Sequence, residues 1–207
     1  MPDPASSPTL DLTTTIEFMN TAELDHGISV DHLDSTRAAL DWLQAWADLD
    51  PADVSGSAPV LARVVRARAA FRELWVAVVE HRRPDEGAVR EINRVLRHRT
   101  QLEVETGVDD RGLAVYRLSR RFAGDPVDCA LAELAEPLAQ ALGSPESIDR
   151  IRTCANDECR WVFFDGSRTH RKRWCDMASC GNRAKAARHR ARARAGETAP
   201  ESPPNDA

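Results

Sequence analysis

The 207-residue sequence contains no apolar run approaching the roughly 18–20 residues that span a bilayer, which excludes a membrane-crossing helix. It also shows no secretory core after Met1, because Pro2 to Pro8 is small and polar, so a cytoplasmic location is expected. His26, His32, His81 and His98 stand at no metal-ligand spacing. No glycine-rich phosphate loop and no recognised nucleophile motif occurs, so an enzyme is not expected. Cysteine is nearly missing from the first 150 residues. Cys129 alone cannot found a disulfide framework, and its place in an amphipathic pattern reads as a buried hydrophobe.

The remaining four cysteines form two evenly spaced pairs, Cys154-x4-Cys159 and Cys175-x4-Cys180, separated by residues 160–174. Two short-spaced pairs supply two corners each of a tetrahedron, the arrangement that Zn²⁺ prefers. Buried hydrophobic cysteines seldom sit among polar neighbours such as Asn156, Asp157, Glu158 and Asp176, and a dithiol switch usually has two intervening residues rather than four. An iron–sulfur cluster could use the same donors, but the spacings match neither common ferredoxin run. Four thiolates leave no position open for water or substrate, so the metal is expected to be one structural Zn²⁺. In about 46 residues it would supply much of the folding free energy.

Charge is distributed unevenly. Residues 1–149 carry 15 basic and 26 acidic side chains, a net −11, whereas residues 150–195 carry 13 and 4, a net +9. The positive field therefore lies on the cysteine module, where it can attract phosphates. Between Arg183 and Gly196 no acid interrupts the basic run, unlike an ordinary solvated helix face with its compensating i, i+4 pairs. At about 100° per residue, Cys180, Ala184, Ala187 and Ala191 share one side. Lys185, Arg188, His189 and Arg192 face away, with Arg183, Arg190 and Arg194 on a flank. The candidate DNA contacts are Arg183, Lys185, Arg188, Arg190 and Arg192, together with Arg168, Arg171, Lys172 and Arg173 between the cysteine pairs.

The first 150 residues read as mainly helical. Ser35 opens a segment carrying Leu40, Leu43 and Ala47, and Asp50-Pro51 breaks it. A longer helix from near Pro59 carries Leu61, Val64, Val65, Arg68, Phe71, Trp75, Val78 and Val79. Asp85 opens a third, with Val89, Ile92 and Leu96. From Gln101 to Ser119 the period drops to two, giving a β-hairpin with Leu102, Val104 and Thr106 on one strand and Leu113, Val115 and Arg117 on the other. Asp125-Pro126 starts a helix that Gly143 closes, and Ser144-Pro145 starts a short one running through Ile148 and Ile151.

After Cys159, Arg160 to Phe164 is strand-like, Asp165-Gly166-Ser167 turns, and Lys172 to Trp174 returns to Cys175. A knuckle, a hairpin and a basic helix make a treble-clef order of elements, with Trp161, Phe163, Phe164 and Trp174 as a small apolar cluster beside the metal. The expected fold class is therefore a mainly α domain with a β-hairpin (α+β), followed by a treble-clef-like zinc finger. The division is 1–9 disordered, 10–149 α-rich, 150–195 finger and 196–207 disordered.

The run Trp174 to Lys185, containing Cys180-Gly181-Asn182-Arg183, together with Cys154 to Cys159 and Ser167-Arg168, resembles the CGNR zinc finger. Glu17-Phe18-Met19-Asn20-Thr21 resembles the opening of the α-rich ABATE domain that accompanies this finger in bacterial stress-induced transcription regulators. The resemblance implies a DNA-binding finger joined to a domain that senses a small ligand, with metal ligands falling on the same four cysteines. For the effector, Asn20 and Glu23 are the candidate polar groups at the rim of an interhelical pocket. A different class, an RNA-binding or protein-interaction adaptor, uses the same finger shape. One finger binds DNA weakly, so a homodimer would help by mass action and symmetry, although no heptad seam is present.

Overall fold

The computed structural model describes residues 11–197 apart from 48, 50, 55–58 and 99. The N-terminal tail expected to be disordered lies outside these residues. So does most of the C-terminal one, except that Gly196 and Glu197 belong to the last turn of a helix.

Asp11 starts α1 (Leu12–Asn20) by accepting hydrogen bonds from Thr13 N and Thr14 N, which supplies partners for two otherwise unpaired helix amides. A short hairpin follows, β1 (Ala22–Asp25) and β2 (Ile28–Asp31), turned at His26 and Gly27, both with positive φ. The sequence reading did not contain it. Ser35 Oγ accepts from Ala38 N to open α2 (Thr36–Ala47). Next come α3 (Val60–Val79) and α4 (Glu86–Val95), the latter capped by Asp85.

The long ribbon of β3 (Thr100–Val108) and β4 (Ala114–Phe122) leads to α5 (Pro126–Gly143), whose Asp125 cap and Pro126 first position match the sequence signal. The ribbon's register pairs Thr106 with Tyr116 and Val104 with Leu118. Val104 and Thr106 therefore share a face with Tyr116, not with Val115 and Arg117.

The core gathers around α3. Its stripe of Val64, Ala67, Phe71 and Trp75 meets Phe18 and Met19 of α1, Leu43 of α2, and Leu131, Leu134 and Leu138 of α5. Phe18 and Phe71 meet edge to face with centroids 5.7 Å apart, a geometry that places a positive ring edge on a negative ring face. Arg68 lies in the same helical stripe but is 4% exposed, an expensive burial unless the charge is paired. Its guanidinium donates to Asp31 through Nη1 (2.7 Å) and Nη2 (2.6 Å), and Nη1 also donates to Thr21 Oγ1 at 2.9 Å. This fork fixes the β1–β2 hairpin to α3, and the Arg68 bond holds the Asp31 carboxyl below its usual range.

The finger is not a separate body with its own apolar core. The short helix α6 (Pro145–Ile148) stops before Ile151, and Ile151 instead begins β5 (Ile151–Thr153). That strand pairs antiparallel with β6 (Val162–Phe164). Ile151 and Val162 are buried in the main core, with Phe164 packed against it, so only part of the expected aromatic cluster stays with the metal. Trp174 packs on the cysteines, and Trp161 is 38% exposed.

Candidate metal centre and nucleic-acid interface

The first cysteine pair forms the tip of the β5–β6 hairpin. Cys154 N donates to Trp161 O at 2.7 Å, and Cys159 N donates to Asn156 O at 2.9 Å, which curls Cys154 to Cys159 into a knuckle. The expected return strand at Lys172 to Trp174 is irregular, because β6 has already paired with β5 upstream. A buried carboxylate shapes the loop instead. Asp165 is fully buried and accepts from Ser167 N (2.9 Å) and Lys172 N (2.8 Å). Burial raises its pKa, but these bonds and nearby Arg152 outweigh it and hold the carboxyl low. The loop returns at Arg173, whose carbonyl accepts from Ala155 N at 2.9 Å.

The second pair sits on a wide turn. Asp176 accepts from Ser179 N through its carboxylate, and Gly181 N reaches back to Asp176 O at 3.0 Å, a single π-type turn over Met177–Gly181. At Gly181 the thioether of the half-exposed Met177 lies over the backbone. A Cβ would stand 2.8 Å from Met177 Sδ and 3.4 Å from Trp174 Cδ1. The helix α7 (Asn182–Glu197) continues from this turn.

All four Sγ atoms lie within 4.8 Å of one another. The Cys159–Cys175 separation is 3.6 Å and the Cys175–Cys180 separation 3.7 Å. A regular tetrahedron with Zn–S near 2.3 Å has edges of about 3.8 Å, so the donor set fits one structural Zn²⁺. Without a cation Cys159 and Cys175 resist ionisation. Burial pushes the Cys159 thiol up to about 11 and raises Cys175 as well, with neighbouring sulfurs adding to the Cys175 shift. Burial also pushes Cys180 up, but hydrogen bonds from Asn156 and the adjacent thiols win and hold it at about 7. A dication supplies the missing positive charge, and the closed thiolate set gives it a folding role.

Two neighbours support the sulfurs from outside. Asn156 Nδ2 lies 3.5 Å and Arg183 Nη2 3.6 Å from Cys180 Sγ. Donors to a metal-bound thiolate spread its negative charge and fix its orientation. The Cys180-Gly181-Asn182-Arg183 motif thus reads as metal-site construction. The cysteine is a ligand, the glycine leaves room for Met177, Asn182 Nδ2 donates to Ala178 O at 3.0 Å, and the arginine braces the sulfur.

Arg183 was expected on DNA, but it is half-buried against the metal centre. Lys185, Arg188, Arg190 and Arg192 are exposed on α7. Arg168, Arg171 and Arg173 are exposed on the Asp165 loop. Lys172 is half-buried with its Nζ 5.3 Å from the centre of the Phe163 ring, and Arg173 lies over Trp174 at 5.4 Å.

Asn20 and Glu23, expected at a ligand pocket, have another task. Asn20 is 7% exposed. Its Nδ2 donates to Val162 O (2.9 Å) while its Oδ1 accepts from Val162 N (3.0 Å), so both ends of the amide are spent on β6. Glu23 accepts from His32 Nε2 at 2.7 Å and from Trp161 Nε1 at 2.5 Å. The same surface includes Gly27 N donating to Glu158 O, Arg72 Nη2 to Arg160 O, and Trp75 Nε1 to Arg152 O. Sequence reasoning missed this clamp because every partner on the finger side lies more than 70 residues away in the chain.

Among the described residues no helix is long and apolar enough to cross a membrane. A curated relative is not found for the sequence. Residues 150–193 match the CGNR zinc finger, in agreement with the cysteine cluster. Residues 10–145 match ABATE, described as "Putative stress-induced transcription regulator", and the chain belongs to that family.

Proposed function

We propose that the chain is a zinc-dependent DNA-binding regulator of transcription whose finger contacts phosphates through α7 and the Asp165 loop. The observation carrying this reading is the exposure of Lys185, Arg188, Arg190 and Arg192 on a helix with no acid from Arg183 to Gly196. Such a helix repels itself along its length, and a polyanion relieves the repulsion while releasing its own counterions. The reducing cytoplasm keeps the four thiolates available to the metal. The chain acts by binding, with no catalytic step assigned to it.

A small effector belongs to the same reading, but its site moves away from Asn20 and Glu23. A cavity of roughly 510 Å³ opens between the end of α3 and the start of the finger, lined by Val78, His81, Ile148, Asp149, Arg152 and His170 among others. A ligand there would touch both regions, so it would alter DNA affinity if it favoured one of their arrangements.

The test is fluorescence anisotropy of the full-length zinc-loaded protein on duplex DNA across a salt series, with structured RNA as competitor. About five phosphate contacts give a slope of log K against log salt of roughly −4 to −5, shallower by about 2 in the Arg188→Ala, Arg192→Ala double variant. Preferential binding of RNA would favour the adaptor reading, and an unchanged slope would move the surface to Arg168, Arg171 and Arg173.

A further inference from the structure

Arg72 stands one helical turn after Arg68 on α3, and the two cations are treated differently. Asp31 neutralises Arg68, whereas among the described residues no carboxylate pairs with Arg72. Its Nη2 donates to the Arg160 carbonyl at 2.5 Å, and its Nη1 is buried without a hydrogen-bond partner. Such a placement is costly, because a guanidinium out of water needs an answering anion and a like charge sits four residues away on the same helix. Burial holds the Arg72 guanidinium below its usual pKa range, and Arg68 and Arg160 add to that. The attraction opposing them comes from the Cys159 sulfur.

The same pattern recurs on the other side of the sulfur cluster. Arg183 gives Nη2 to Cys180 Sγ at 3.6 Å, and its Nη1 is likewise buried without a partner. Zn²⁺ held by four thiolates carries a net double negative charge, here among three buried cysteines and one half-buried one. Two guanidiniums match that charge in number. One enters from α7 at Cys180, and the other from α3 at Arg160, the residue after Cys159.

We propose that Arg72 is the counter-charge that the helical body lends to the zinc centre, so that metal occupancy and the stability of α3 are linked. With zinc bound, the tetrathiolate answers the buried cation. With the metal gone and the thiols protonated, the same cation is left uncompensated. The linkage is reciprocal, so whatever Arg72 adds to zinc affinity returns as zinc-dependent stability of the body. The Asn20–Val162 bonds lack this dependence, because they join neutral groups.

The experiment measures zinc affinity by chelator competition, and urea unfolding with and without zinc, on the full-length wild type, Arg72→Met and Arg72→Lys. Arg72→Met keeps the chain length and removes the charge, and it should weaken zinc binding about 10–100-fold. Without zinc it should be no less stable than the wild type, because the uncompensated cation is gone. Arg72→Lys should recover most of the affinity. Arg66→Met, on the same helix but with its charge paired to Glu91, should bind zinc as the wild type does. Co²⁺ in place of zinc gives a spectroscopic readout. Losing the positive charge raises the energy of the sulfur electrons, so the sulfur-to-metal charge-transfer band should move to longer wavelength in Arg72→Met and return in Arg72→Lys. A loss of zinc affinity below about 10-fold overturns the proposal, as does an unmoved band. So does an Arg72→Met protein that is destabilised equally with and without zinc, or that fails to fold without it, since loss of the Arg160 hydrogen bond alone would account for either.

Discussion

The side-chain amide of Asn20 occupies the place of a neighbouring strand beside Val162, donating to its carbonyl at 2.9 Å and accepting from its amide at 3.0 Å. Asn20 ends α1, and Val162 begins the strand that carries the chain away from the first zinc knuckle. Asn20 is thus one of several residues, with Glu23, Gly27, Arg72 and Trp75, that join the helical body to half of the metal centre. The other half, Cys175 to Cys180 with α7, is tied to the first knuckle by the shared metal site, the Ala155–Arg173 bond and the Asn156–Cys180 contact.

Replacing Asn20 with Ala removes both bonds and leaves the Val162 amide and carbonyl buried without partners. Each such group costs about 1–3 kcal/mol, so a loss of about 2–4 kcal/mol is expected in urea unfolding. Asn20→Asp retains the acceptor but turns the donor into a second acceptor facing Val162 O, and it should be no milder. A loss under about 0.5 kcal/mol, the scale of an ordinary surface change, would show that the clamp is not formed in solution.

Arg183 and Arg188 should separate cleanly in their effects. Arg183→Ala removes a donor to Cys180 and is expected to lower zinc affinity about 10–100-fold in chelator competition. Arg188→Ala should leave zinc affinity unchanged and reduce the salt slope of DNA binding by about 1. Arg183→Lys, which keeps the charge but not the planar fork, should recover only part of the zinc affinity.

Much of this architecture is legible in the sequence. Asp125-Pro126 sets a helix start through capping chemistry alone, and the cysteine spacing specifies the metal site, because both signals are local. The β1–β2 hairpin was not legible. Its strands Ala22–Asp25 and Ile28–Asp31 are short, acidic and at most half-buried, and they are held by Arg68 far along the chain. Of the strand expected over Arg160 to Phe164 only Val162–Phe164 forms, Arg160 having a positive φ, and it pairs with an upstream segment, since periodicity gives a strand's faces and never names its partner. Charge counting likewise could not tell Arg183 from Arg188. A guanidinium bracing a sulfur and one exposed to solvent look alike in a basic run.

Acid stability should carry the signature of Glu73. Hydrogen bonds from Arg82 (2.6 and 2.8 Å) and from Asp85 N lower its pKa from 4.5 to about 2. A carboxyl depressed in the folded state contributes stability above its unfolded pKa and loses it as pH falls through the folded value. The difference in unfolding midpoint between wild type and Glu73→Gln should therefore hold steady above about pH 5 and shrink between 4.5 and about 2. Comparing the two proteins at each pH cancels zinc release, which is common to both. A difference that stayed constant down to pH 2 would contradict the Arg82 pairing.

Hydrogen exchange of the full-length protein, zinc-loaded and zinc-stripped, tests the division of the finger most directly. With the knuckle strands built into the helical body and α7 attached through the metal, stripping zinc should abolish amide protection from Cys175 through Arg194. Protection at Ile151–Thr153 and Val162–Phe164 should persist. If β5 and β6 lose protection together with α7 while the helices stay protected, the finger is a self-contained metal-folded module and the Asn20 clamp does not hold it.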